Sequence, residues 1–167
     1  MDSAALDSAV YNQATSQGIP ANVAKIIVAQ ARLETADYTS NLFRNFNNAF
    51  GYKWVGQKKW ANGPAFNAPG QDAQGNPDGG TYASYPSIQY STGELVDWLK
   101  RRQRDGVLTI ANLTTPGAYA AALKAAGYYG ETASEYGQGL LAKLSKIAGE
   151  VGGTLGVIAL LALGVFF

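Results

Sequence analysis

The sequence predicts an α+β chain that is mostly α, with helices around a small β or loop lobe and a hydrophobic helix at the C-terminus. Three observations predict it. Segments of helical periodicity with cap signals occupy both flanks of the chain. The stretch 51–90 between them is rich in Gly, Pro, Asn, Trp and Tyr and has no helical period. The stretch 151–167 carries no charged side chain at all.

In chain order, Asp2 or Ser3 caps a first helix that Gly18 stops near Gln17. Pro20 suits the first turn of a second helix running to about Ala36. A short helix follows near 40–47, and 51–90 reads as a loop lobe with room for a small hairpin. Ser91 and Glu94 have the spacing of a capping box, opening a helix through Leu95, Trp98 and Leu99 to about Arg104. Thr115-Pro116 opens the next helix, stopped at Gly127. The last helix of the domain carries Tyr136, Leu140, Leu144 and Ile147 at helical spacing, then meets Gly152-Gly153.

The domain is expected over 1–150, with 151–167 as a membrane anchor. As a helix, about 16 residues span roughly 24 Å, slightly short of a bilayer core near 30 Å. A tail docked on the domain or on a partner protein is the other reading. Met1 to Leu6 has neither the basic start nor the apolar core of a signal peptide. Lys143 and Lys146 precede the tail and nothing basic follows, so the positive-inside bias leaves the domain on the cytoplasmic or equivalent face.

Composition excludes whole classes of chemistry. With no His and no Cys among 167 residues, the chain has no Ser-His-Asp triad, no Cys-His nucleophile, no thiolate or imidazole zinc site and no disulfide. A net charge of +1 gives no electrostatic footprint for nucleic acid. No metal and no cofactor are expected. Hydrolysis by carboxylates, Tyr, Lys or Ser remains, which favours glycosidic bonds over peptide bonds.

On the second helix, Val23, Ile27, Ala31 and Glu34 fall on one stripe at about 100° per residue. Lys25 and Arg32 lie opposite, where solvent is expected. Glu34 therefore projects from the apolar face toward the core, where desolvation raises a carboxyl toward the range a general acid needs. A buried carboxylate paired with Arg44, or a helix that ends early and leaves Glu34 at its exposed end, are the structural alternatives. Asn47-Asn48-Ala49-Phe50-Gly51-Tyr52-Lys53 then places amides and aromatic rings close together. Aromatic faces stack on sugar rings and amides hydrogen-bond N-acetyl groups. Trp54, Trp60, Phe66, Tyr82, Tyr85 and Tyr90 continue that supply, each equally able simply to pack an irregular lobe.

Over roughly 20–148 the chain resembles the peptidoglycan N-acetylglucosaminidases of glycoside hydrolase family 73, of flagellar and autolytic wall enzymes. Gln30-Ala31-Arg32-Leu33-Glu34-Thr35 is similar to the family's catalytic helix, "QA-x-LE-[ST]". Asn47-Asn48-Ala49-Phe50-Gly51-Tyr52-Lys53 is similar to its "NN-x-FG-[IY]-K". Tyr82-Ala83-Ser84-Tyr85-Pro86-Ser87 looks like its "FR-x-Y-x-S" strand, and Ala126-Gly127-Tyr128 with 136–147 like its "AGYATD…YA-x-KL" close.

The resemblance implies a lysozyme-like fold and a phage lytic enzyme or autolysin acting on peptidoglycan glycan strands. It makes Glu34 the general acid, Tyr128 a positioning residue at the reacting sugar, and Asn47, Asn48, Phe50 and Tyr52, with Trp54 and Tyr85, the groove lining. The family's second acidic residue sits in the β-lobe, and there the pattern departs. No Glu lies between Glu34 and Glu94, and the lobe's acids are Asp72 and Asp78. Asp72 has the better spacing and Asp78 lies nearer the Tyr82 strand. Either can activate a water, since inverting geometry tolerates wide carboxylate separation. The substrate's N-acetyl group is the other candidate nucleophile. A muramidase or lytic transglycosylase, or a non-catalytic glycan-binding virion protein attached to a membrane, remain alternatives. A wall enzyme with a tail but no export signal fits a phage protein anchored in a virion membrane or released at lysis.

Overall fold

Asp2 accepts a hydrogen bond from Ala4 N and opens α1 (Ser3–Ser16), whose Leu6, Val10 and Ala14 are buried. Pro20 precedes α2 (Ala21–Glu34), and Ser40 caps the short α3 (Asn41–Phe46). The lobe is a hairpin of β1 (Gly63–Gln71) and β2 (Pro77–Ser84), antiparallel, with Gly63 opposite Ser84 and Gln71 opposite Pro77. Then come α4 (Ile88–Arg104), a 3-10 turn (Ile110–Asn112), α5 (Pro116–Ala125, capped by Thr115) and α6 (Ala133–Leu155). The computed structural model describes residues 2–71 and 77–155.

α2 is the central element. Val23, Ala24 and every residue from Ile26 to Arg32 are buried on it. α1 packs against α2 and α4, and α6 packs against α2 and α5. Gly139 permits the approach of α6, since a Cβ there would lie 3.1 Å from Leu33 Cδ2.

This central position overturns the expectation for Arg32. Its side chain is only 2% exposed and pairs with Asp7 at 2.6 Å and Glu150 at 2.7 Å. Periodicity assigned it to solvent, but α1 and α6 cover that side of α2 and bring the carboxylates with them. Lys25 is half-buried.

α2 ends at Glu34, two residues short of the expected Ala36. Thr35 Oγ1 donates to Ala31 O at 2.6 Å and accepts from Tyr38 N at 2.8 Å. Ala36, Asp37 and Tyr38 then follow with φ of 49°, 58° and 66°, a left-handed turn that L-residues adopt only when held. It is held by Lys143 and Lys146, each donating to Asp37 at 2.8 Å, and by Tyr38 OH donating to Asp7 at 2.8 Å.

Two further expectations are corrected. Ser87, not Ser91, precedes α4, so Ser91 and Glu94 are buried within the helix rather than capping it. Gly152-Gly153 does not stop α6, which continues to Leu155. Two glycines cost a helix only about 2 kcal/mol, too little to end one begun by a well-packed amphipathic segment. Among the described residues no helix is long and apolar enough to cross a membrane. Of the expected anchor at 151–167, residues 156–167 lie outside the described residues.

Candidate active site

Glu34 is exposed to solvent at the last residue of α2. The expectation that it points into the core is thus corrected: its upstream neighbours on the stripe are buried, while Glu34 lies just beyond them. Protein still surrounds it on most sides, and desolvation pushes its carboxyl up to about 7.

Two groups modulate that proton affinity. Tyr136, on the first turn of α6, donates its hydroxyl to Glu34 Oε1 at 2.5 Å, which favours the ionised form. The charge of Glu131, exposed in the loop before α6, favours the neutral form. Burial, and then the Glu34 charge, hold the Tyr136 hydroxyl far above its ordinary range, so it stays a donor. The second carboxyl oxygen, Oε2, faces Gly51, where a Cβ would stand 4.0 Å away. Gly51 has φ +65°, a conformation glycine adopts without strain.

Tyr128 joins this group. Its hydroxyl donates to Phe50 O at 2.8 Å, fastening the 47–53 loop beside Glu34. Its ring sits edge-on between Tyr52 (5.9 Å) and Trp98 (5.2 Å), giving a row of half-buried aromatic rings. Burial, then the neighbouring Tyr52 and Glu34, raise its hydroxyl well above the ordinary value. Tyr129 stacks on Tyr136, with centroids 4.1 Å apart and planes 18° from parallel.

The paired asparagines build the loop. Asn47, with φ 51°, closes α3 and donates its amide to Tyr85 O (3.1 Å) and Pro86 O (3.3 Å). Asn48 is 1% exposed and donates to Tyr52 O and Ala83 O, both at 2.9 Å. Its Oδ1 accepts from Phe50 N (3.4 Å) and Tyr52 N (3.1 Å). Backbone bonds from Ala83 N to Tyr52 O (2.8 Å) and Trp54 N to Thr81 O (2.6 Å) lay this loop along β2.

Glu34, Phe50, Tyr52 and Tyr128 therefore come together. Tyr85 is buried with Ala61 and Ala83 in a small second core, and Trp54 packs against it. Asp78 lies on β2, its side chain outside the described residues, as is the whole of Asp72. Among the described residues no three acidic side chains gather as a metal site.

A family model described as mannosyl-glycoprotein endo-beta-N-acetylglucosaminidase (Glucosaminidase) matches residues 8–148. The chain belongs to the glucosaminidase family. It is thus a glycoside hydrolase, and its helical body with a two-stranded lobe is the lysozyme-like architecture expected of it. The fold is similar to that of a peptidoglycan hydrolase from Sphingomonas sp. A1, with a TM-score of 0.62 and 22% identity, covering 99% of this chain and 97% of that one. It is also similar to a chain of a type VI secretion system effector-immunity complex from Pseudomonas protegens, with a TM-score of 0.60 and 16% identity, covering 87% and 91%. No curated protein sequence matches the chain.

Sequence reasoning missed three residues of this candidate site: Tyr136, Trp98 and Glu131. Tyr136 and Trp98 are read from the sequence as members of apolar stripes and family-like helices, with no role at the site. A hydroxyl on such a stripe needs a partner once buried, and that requirement was the available signal. Glu131 carried no signal, since nothing local ties a loop carboxylate to α2.

Proposed function

We propose that the enzyme hydrolyses the β-1,4 glycosidic bond after N-acetylglucosamine in peptidoglycan, with Glu34 as general acid. The observation that carries this is the state of Glu34: open to solvent, pushed up to about 7 by desolvation, and hydrogen-bonded through Oε1 to Tyr136. The Tyr136 bond leaves Oε2 to carry the transferable proton. In the reaction Oε2–H protonates the leaving glycosidic oxygen as the C–O bond breaks, and water adds to the anomeric carbon.

A carboxylate from the lobe, Asp72 or Asp78, takes the proton of that water, or the substrate's N-acetyl oxygen attacks first and is later displaced. Tyr52, Tyr128 and Trp98 offer ring faces and edges for sugars, and Tyr128 holds the 47–53 loop against the acid. Asn48 acts through that loop's shape, its amide being fully engaged. Peptidoglycan as substrate is supported by the family and by the likeness to the Sphingomonas hydrolase.

The test is digestion of purified sacculi with mass spectrometry of the products. New reducing N-acetylglucosamine ends are expected. Reducing muramic ends would indicate a muramidase, and anhydro-muramyl ends a transglycosylase. The proposal includes membrane attachment through the uncharged stretch 151–167, in a phage protein meeting the wall at infection or lysis. A chain truncated at 150 that still floats with vesicles would remove that part.

A further inference from the structure

Glu34 is followed almost at once by backbone that ordinary residues avoid. Ala36, Asp37 and Tyr38 stand in succession with φ of 49°, 58° and 66°. A single left-handed residue is common at a helix end, where glycine usually supplies it; a Cβ disfavours it at each position. The turn closes α2 all the same. Asp37 N donates to Arg32 O at 2.8 Å and Ala36 N to Leu33 O at 3.3 Å, satisfying carbonyls that the helix itself leaves open. Whatever holds this turn therefore holds the end of α2 on which Glu34 stands.

We propose that Lys143 and Lys146 of α6 are positioning residues for Glu34: they clamp Asp37, so that the left-handed turn persists and the carboxyl keeps its place beside the 47–53 loop. Each lysine donates to Asp37 Oδ2 at 2.8 Å. Both belong to a stripe of α6 that runs along the end of α2. Tyr136 donates to Glu34, Gly139 lies against Leu33, the two lysines take Asp37, and Glu150 pairs with Arg32 at 2.7 Å. Their intervals of three and four residues are those of one helix face. α6 thus reaches the acid twice, directly through Tyr136 and through the turn behind it. Asp37 and Lys143 are half-buried, so this pair is screened less than a free surface pair, while Lys146 stands at the exposed edge. Tyr38 OH, donating to Asp7 of α1, secures the far end of the turn. This inference deepens the general-acid reading, and its catalytic consequence rests on that reading.

The experiment compares the full wild-type chain with Lys143→Met/Lys146→Met, and with the same pair carrying Ala36→Gly. Amide hydrogen exchange at Ala36 and Asp37 reads the turn, and kcat and KM on soluble glycan strands read the acid, at a temperature where circular dichroism shows every variant folded. Without the lysines, exchange at the two amides is expected to quicken about tenfold. kcat is expected to fall about tenfold, with KM changed by less than about twofold, because a displaced acid loses transition-state contact and leaves ground-state binding alone. Glycine adopts the φ of position 36 without strain, so Ala36→Gly is expected to restore kcat to within about threefold of wild type. Unchanged exchange, or a fall in kcat that Ala36→Gly does not reverse, overturns the proposal. Lys146→Met alone, a change at the exposed edge, reads the same effect at smaller size if the pair fails to fold. Faster exchange with kcat unmoved has two meanings, and Glu34→Gln separates them. If that variant is inactive, the lysines hold the turn without positioning the acid and the proposal is overturned. If it is as active as wild type, the clamp stands and the general-acid reading falls.

Discussion

Replacing Tyr136 by Phe removes one oxygen, the donor that holds Glu34 Oε1 at 2.5 Å. That hydrogen bond favours the carboxylate, so its loss raises the Glu34 pKa from its position near 7. A hydrogen bond to a charged group contributes about 1.5–3 kcal/mol net, equivalent to about 1–2 pKa units at 1.36 kcal/mol per unit. Glu34 is open to solvent, and water replaces part of the lost donation. The lower end applies, placing the variant near pH 8. A general acid works only while protonated, so activity falls as pH rises through its pKa. The alkaline limb of kcat/KM should therefore move up by about one unit. The rate on the acidic plateau should fall, because nothing then fixes which oxygen carries the proton. The assay is the rate of clearing of sacculi from pH 5 to pH 10. An alkaline limb that stays in place, or moves down, would refute the reasoning.

Three further outcomes are expected. Glu131→Gln removes a like charge and should lower the Glu34 pKa by about 0.3 unit, moving the alkaline limb down at low salt and hardly at all in 1 M salt. Gly51→Ala places a Cβ 4.0 Å from Oε2 at a residue with φ +65°. It should cost about 1 kcal/mol of stability by thermal melting and on the order of tenfold in kcat/KM. Asn48→Ala frees the 47–53 loop from β2 and should lower stability by about 2–4 kcal/mol, a Tm drop of about 5–10 °C by calorimetry.

Much of the frame was legible because local rules decided it. Cap and breaker residues located α1, α5 and the start of α2, and the helix phase singled out Glu34. Arg32 was misread because periodicity on one helix assumes a wet face, and α2 has almost none. The cap of α4 was misplaced by one turn because Ser87 precedes a helix whose first buried residue, Ile88, carries no pattern of its own. Asn48 looked like a sugar ligand by residue type, but burial assigned its amide to the loop. Tyr136 lies 102 positions from Glu34. Their meeting depends on the close approach of α6 to Leu33 at Gly139, a packing detail that spacing within one helix does not encode.

The central claim is that the Glu34 proton breaks the glycosidic bond, and Glu34→Gln tests it most directly. The variant keeps the shape and a hydrogen bond to Tyr136 but has no proton to give. Measured on purified sacculi at pH 6, its hydrolysis rate should fall by about 10²–10⁴ while sacculus binding and thermal stability are retained. A folded Glu34→Gln protein that hydrolyses sacculi at close to the wild-type rate would contradict the account.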